Sequence, residues 1–350
     1  MKYYYFLTLV LLLCFAGVSA QVVEVTTEVI NPKGLLLHGN ELYIAESGPG
    51  RISKIDISDP NAMPSIVIDG LNEPRELALI GDDLYIAEWF FSANGRISKF
   101  DITATNPSVV EVFSGIVPSG LTASGDFLFF GDTGNDKIVK IDVTVPNPSA
   151  IDVVNLSSNP ESLFVHENTL YIGESGQKVS KIDVTVPNPV LTEIITGVAS
   201  PRSLAIFDDE LYIGESTMAR IIKIDPEDTN PTPIVVVEDL VNPEGMAFNQ
   251  GELYFSEFLG NRISKFVVEP LSVNSFEKSS TFTIYPNPAD DYITVSGLKR
   301  PTKYYIFSAI GMKVYSGYLS KNIKIDTTSL LSGLYFLELE DGIVLKFIKN

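Results

Sequence analysis

Histidine and cysteine are nearly missing from this chain of 350 residues: His38 and His166 are the only imidazoles, and Cys14 is the only thiol. Cys14 sits in the apolar run Phe6 to Phe15, after the basic Lys2 and before the small residues Val18-Ser19-Ala20. That arrangement reads as a secretory signal peptide over residues 1–20, with cleavage expected after Ala20. Leu11-Leu12-Leu13 directly precedes Cys14, which argues against a lipoprotein anchor. Losing that leader leaves an exported chain with no cysteine. Disulfides, a thiolate nucleophile and a Cys-ligated zinc are then excluded. About 330 remaining residues can bury a large core without staples.

Other absences narrow the class further. No later apolar run reaches the ~20 residues of a transmembrane helix, and helical periodicity is missing throughout. Basic residues are scarce in the larger part: residues 21–275 carry 15 Lys and Arg against 37 Asp and Glu, whereas residues 276–350 carry 9 against 7. A surface this acidic repels phosphate backbones, so nucleic acid is not an expected partner. Both histidines have polar neighbours and are expected in turns away from any axial site, which removes a Ser-His-Asp arrangement there.

What the chain has in abundance is one repeated phrase. Leu42-Tyr43-Ile44-Ala45-Glu46 returns in variant form from Leu84, Leu128, Leu170, Leu211 and Leu253, at spacings of 42, 44, 42, 41 and 42 residues. A fixed period in this range signals stacked or radially arranged units. Each unit opens on a proline (Pro32, Pro74, Pro118, Pro160, Pro201, Pro243) and continues through a short apolar strand, a polar turn and the Leu-Tyr-Ile strand. A Gly/Ser/Asn turn then leads to a basic-led strand such as Arg51 to Asp56, and a β-branched strand such as Ile66-Val67-Ile68 ends the unit. Short strands split by turn signals predict an all-β fold.

Four antiparallel strands repeated radially predict a six-bladed β-propeller over residues 21–270. Val22 to Ile30 looks like a fourth strand with no blade before it, and the sixth unit runs out at Val268-Glu269-Pro270 without one. The N-terminal strand is expected to complete the last blade and close the ring, leaving no long open edge. The pattern of Pro, Leu-Tyr-Ile-Ala-Glu, Gly/Asn turn and Arg-Ile-x-Lys-Ile-Asp resembles NHL- and YWTD-type (TolB-like) six-bladed propellers. That resemblance implies the fold and leaves function open, because the superfold carries adhesion, scaffolding and enzyme activities.

The acidic residue ending each second strand (Glu46, Glu88, Asp132, Glu174, Glu215, Glu257) has a basic residue just past the next turn: Arg51, Arg96, Lys137, Lys178, Arg220 and Arg262. Hairpin geometry makes these facing pairs, hence scaffold. Tyr43 is likewise expected to face Lys54.

Function is sought where the repeats differ. The residue after each opening proline reads Lys33, Arg75, Ser119, Glu161, Arg202 and Glu244, with Glu76 the one charged residue at the following position. These are expected to line the mouth of the axial channel, either as a ligand funnel or neutralising one another, for example Glu161 with Lys33. Blade two also inserts Trp89-Phe90-Phe91-Ser92-Ala93-Asn94-Gly95, holding the chain's only tryptophan, where blade one has four residues. Three adjacent aromatics there mark either a contact surface or packing onto a neighbouring blade.

Lactonases resembling gluconolactonase hold calcium at the propeller axis. Asn31, Asn159 and Asn242, with Glu76, Glu161 and Glu244, are weak candidates for such a site, although the family's ligand spacing is not reproduced. No cofactor is expected; calcium is kept as the exception. Streptogramin-lyase-like propellers share the flavour of Gly260 to Ile263, but the histidine their chemistry needs has no counterpart here.

Residues 271–281 read as a linker. Seven strand-like runs in 282–350 then predict a small Ig-like β-sandwich. Tyr285-Pro286-Asn287-Pro288, Ile293-Thr294-Val295, Gly311 before a Lys-Val strand, Leu330 to Tyr335 with Gly333, and the basic end with Lys346 and Lys349 carry a further resemblance. Together they resemble the type A C-terminal sorting domain of the type IX secretion system of the Bacteroidota. That resemblance implies recognition by the outer-membrane machinery and delivery to the cell surface or beyond. The expectation is an exported, non-catalytic propeller that binds a protein or glycan ligand. The alternative is a calcium-dependent hydrolase or lactonase acting in the funnel.

Overall fold

The computed structural model of the protein describes residues 22–90, 95–268, 282–298, 301–308, 313–320, 323–339 and 344–350. The signal-peptide expectation, the linker, Phe91 and Gly311 lie outside the described residues. The chain divides into two compact units, with the boundary between Glu269 and Pro270.

The first unit is a six-bladed β-propeller of four-stranded antiparallel sheets. The innermost strands are Pro32–His38, Pro74–Ile80, Pro118–Ser124, Pro160–His166, Pro201–Phe207 and Pro243–Asn249, and each touches its neighbour on both sides around a closed ring. The two histidines end their strands, exposed, rather than lying inside the turns. Second strands such as Glu41–Glu46 are buried along almost their whole length in every blade. Each sheet is covered on both faces by adjacent blades, which is why Leu-Tyr-Ile-Ala runs on without polar alternation.

The core is therefore six wedges between blades. Tyr43, Ala45 and Ile52 of blade one pack with Leu77, Leu84, Ile86 and Phe100 of blade two. Tyr254 and Ile263 of blade six pack with Leu35, Leu42 and Ile44 of blade one. The ring closes where Val23–Thr26 pairs antiparallel with Arg262–Val267, placing Val23 opposite Lys265 and Thr26 opposite Ile263. Every blade thereby has its fourth strand.

The second-strand carboxylates are scaffold. Glu46 is fully buried and takes a two-pronged contact from Arg51 at 2.8 Å on each oxygen, a further bond from the Ser53 hydroxyl, and the Ile30 N–H at 2.8 Å. Glu88 and Glu257 repeat the knot with Arg96 and Arg262. Glu174 and Glu215 hold Lys178 and Arg220 through single contacts. Blade three departs from the expected pairing. The shorter Asp132 accepts from Gly134 N–H and Asn135 Nδ2, and Lys137 reaches Asp152 at 2.7 Å instead. Tyr43 does face Lys54, whose ammonium stands 5.9 Å from the ring centre.

The second unit packs two sheets. One holds Thr283–Tyr285, Tyr292–Ser296 and Lys324–Asp326; the other holds Lys313–Leu319, Thr302–Ser308, Gly333–Leu339 and Val344–Lys349. Ile293, Ile306, Leu337 and Phe347 form its fully buried centre. Asn287, between Pro286 and Pro288, ties the domain's start to its final strand. Its amide donates to Lys346 O at 3.2 Å and its carbonyl accepts from Ile348 N–H at 2.9 Å. Tyr335 stacks on Phe347 and donates its hydroxyl to Leu331 O, whereas Lys346 is exposed and Lys349 half-buried.

Candidate functional site

The opening proline fixes φ and supplies no N–H, and pairing between first and second strands slips just after it. Pro74 opposes Glu88 and Glu76 opposes Ala87, leaving Arg75 unpaired. Glu161 and Arg202 are extra residues of the same kind, while blades one and six skip Lys33-Gly34 and Glu244-Gly245. Such bulges re-aim a side chain out of the ladder. In blade three the extra residue is Gly120, at φ +56, and Ser119 stays paired. The bulges turn the variable residues toward the axis.

They meet in a cavity of about 340 Å³ lined by Lys33, Arg75, Glu76, Ser119, Glu161, Arg202 and Glu244, with Trp89 and Asn159 on its wall. A second axial cavity of about 470 Å³ follows the inner strands past Leu77, Leu163, Leu204 and Met246. Among the described residues, only Glu76 and Arg202 line both.

The ion pairs here differ from those of the scaffold. Lys33 meets Glu244, Arg75 meets Glu73 and Arg202 meets Glu161, each through one contact at 3.4 Å. The expected Lys33–Glu161 pair is not formed, because each cation reaches the nearest carboxylate along the ring. Glu73 and Ser200 were not singled out from sequence. Both precede an opening proline at positive φ, 34° and 53°, and Ser200 Oγ accepts from Arg202 Nε and donates to Glu161. Arg75 Nε is buried with no hydrogen-bond partner.

The aromatic loop belongs to the same site. Trp89 lies over the Arg75 guanidinium at 4.0 Å from the ring centre, and Phe258 covers Lys33 in the same way at 4.3 Å. Such cation–ring contacts contribute ~0.5–2 kcal/mol each. Phe90 turns outward, toward the scaffold Arg96 at 5.7 Å. Trp89 therefore lies at the mouth, and Phe90 is separate from it.

Burial, with Arg75 and Arg202 close by, lowers the Lys33 pKa against the opposing pull of Glu244. Burial also lowers Arg75, opposed mainly by its bond to Glu73. Glu76 goes the other way: burial first, then the Glu244 charge, pushes it up to about 8 despite Lys33, Arg75 and Arg202. The mouth thus pairs three basic side chains with three acidic ones, and burial favours the neutral form of Glu76 beside them.

Of the calcium candidates, Asn159, Glu76, Glu161 and Glu244 line this cavity, whereas Asn31 and Asn242 do not. Asn31 donates to Phe258 O, Asn159 to Thr133 O and Asn242 to Ser216 Oγ, each amide clipping its blade to the preceding one. Glu161 and Glu244 are engaged by cations. No three His, Cys, Asp or Glu side chains converge as a metal-ligating group among the described residues.

Residues 283–350 match the secretion system C-terminal sorting domain. The chain is thus a β-propeller joined to a sorting domain that marks it for type IX export to the cell surface or extracellular space. No curated protein matches the sequence. Among solved structures, the chain is similar to the PQQ-bound aldose sugar dehydrogenase of Streptomyces coelicolor, at 17% identity and a TM-score of 0.55, over 70% of this chain and 97% of that one. It is similar to an auxiliary nutrient binding protein from Bacteroides thetaiotaomicron, at 13% identity and 0.56, over 68% and 69%. It is also similar to virginiamycin B lyase from Staphylococcus aureus, at 17% identity and 0.51, over 79% and 94%. At these identities the likeness is one of fold.

Proposed function

We propose that the protein is a non-catalytic binding or adhesion module that works at the cell surface or beyond it and takes a protein or glycan ligand at its axial mouth. In this reading residues 1–20 are a leader removed during export, residues 21–270 form the binding domain, and residues 271–281 link it to the sorting domain at 282–350. One contrast carries the proposal. Scaffold arginines grip fully buried glutamates, mostly two-pronged at 2.5–3.0 Å, while the mouth pairs touch once at 3.4 Å. Donors left half-used in a concave, aromatic-flanked cavity are what a ligand's acceptors need. A nutrient binding protein among the structural neighbours suits the same reading.

Screening the full chain against glycan and extracellular-protein arrays tests it. A ligand should be captured, and Trp89→Ser should weaken capture at least tenfold while the melting temperature holds within about 3 °C. Capture that is indifferent to Trp89→Ser would move the site away from the mouth. A collapse in stability would make Trp89 part of the core.

A further inference from the structure

We propose that the axial mouth recognises a single carboxylate on an otherwise uncharged ring, a uronic acid sugar, held between Arg75 and Arg202 beside Glu76. The inference rests on the mouth being the ligand site. Three features select this chemistry.

The first is an excess of donors. Arg75 carries five N–H groups, yet among the described residues its one side-chain hydrogen bond runs from Nη2 to Glu73, and its buried Nε has no partner. Arg202 uses Nε on Ser200 and one contact on Glu161. A planar carboxylate matches a guanidinium fork, which suits an incoming acid better than an isolated hydroxyl.

The second is charge balance. Lys33, Arg75 and Arg202 face Glu73, Glu161 and Glu244, so the mouth is near neutral before a ligand enters. The propeller around it is strongly acidic. Phosphate, a tetrahedral anion with charge on every side and no neutral body, would lie against Glu161 and Glu244 and be repelled. One negative charge on a neutral body is tolerated. The third is size and lining: about 340 Å³ with the Trp89 ring on the wall suits one sugar ring, whose apolar face packs on an aromatic.

Glu76 then regulates occupancy. It is the one large side chain in a ring of positions otherwise filled by Gly34, Gly120, Ser162, Ser203 and Gly245. The groups acting on it are Lys33, Arg75, Arg202 and Glu244. Protonated, it offers an O–H to the incoming carboxylate. Ionised, it becomes an internal competitor for the same guanidinium groups, so affinity falls as pH rises past about 8.

Calorimetric titration of the full chain with D-galacturonate, D-glucuronate, D-galactose, D-glucose and inorganic phosphate tests this, because the hexoses differ from the uronates only at the carboxylate. At pH 6.5 the uronates should bind at least tenfold tighter than the hexoses, and phosphate no tighter than the hexoses. Arg75→Gln and Arg202→Gln should each weaken uronate binding at least fivefold without unfolding the chain. Raising the pH to 9 should weaken it severalfold in the parent protein and not in Glu76→Gln. Equal affinity for uronate and hexose overturns carboxylate recognition and leaves the mouth as a sugar site. Tighter binding of phosphate overturns the charge-balance reasoning. No binding of either sugar, with Trp89→Ser still weakening capture of an array ligand, rejects the uronate and spares the mouth. If Trp89→Ser is harmless as well, both readings fall.

Discussion

Replacing Glu76 with glutamine should make the protein more stable above pH 8 and change little at pH 5. In the unfolded chain this carboxyl ionises near its ordinary 4.5; in the folded protein burial and the Glu244 charge hold the proton to about 8. Between those values the folded state binds more protons than the unfolded one, so stability declines as pH rises from about 4.5 to 8 and levels off beyond. Each unit of separation is worth about 1.4 kcal/mol. Solvent at the mouth screens part of that, which leaves about 2 to 4 kcal/mol. Glutamine cannot ionise, keeps the size of the side chain and still donates a hydrogen bond. Urea unfolding of both proteins at half-unit steps from pH 5 to 9, followed by circular dichroism, gives the comparison directly. The two curves should diverge steadily between pH 5 and 8 and then run parallel. Curves parallel over the whole range would show that Glu76 is ionised in the folded protein, and the charge balance drawn for the mouth would be wrong.

Four further outcomes follow from the same structure. Arg262→Met leaves the buried Glu257 carboxylate without its two-pronged partner and should cost about 3–5 kcal/mol, read by denaturant unfolding. Removing residues 22–27 strips the closing strand from blade six, along with Val22 and Val25, which pack against the flanking wedges. A loss of at least ~3 kcal/mol is expected from that buried area alone, with earlier hydrogen exchange at Arg262–Val267. Asn287→Ala removes both bonds to the last strand and should destabilise the sorting domain by about 1–3 kcal/mol, seen as faster exchange at the Ile348 amide. Adding calcium or EDTA should leave the melting temperature unchanged, whereas a calcium-dependent rise of several degrees would support the hydrolase alternative.

The fold was legible because its rules are written residue by residue. Leu-Tyr-Ile-Ala runs mark strands covered on both faces, and Val22 to Ile30 reads as a strand in want of a sheet; the structure narrows its pairing to Val23–Thr26. The position after each proline was legible too, since both signs of charge occur there among otherwise similar repeats. Partner choice was not. Glu161 joins Arg202 rather than Lys33 because a bulge sets where each side chain leaves the strand, and no sequence spacing encodes that direction. Asp132 broke the carboxylate rule for a similar reason: one methylene fewer than glutamate lets Gly134 and Asn135 satisfy it first. The contact between Trp89 and Arg75 depends on the direction the chain takes just past Glu88. Composition offers no sign of that. Asn287, by contrast, was flagged by its motif, and its two bonds to the final strand supply the physical reason.

Trp89 is the chain's only tryptophan and lies over Arg75 at the mouth, so its fluorescence reports directly on occupancy there. Titrating the full chain with its array ligand while recording that emission tests the central claim. The account predicts a saturating change at the concentration where calorimetry places binding, and its loss in Arg75→Gln. Emission that stays constant while calorimetry shows the protein saturated would place the ligand elsewhere on the propeller and contradict it.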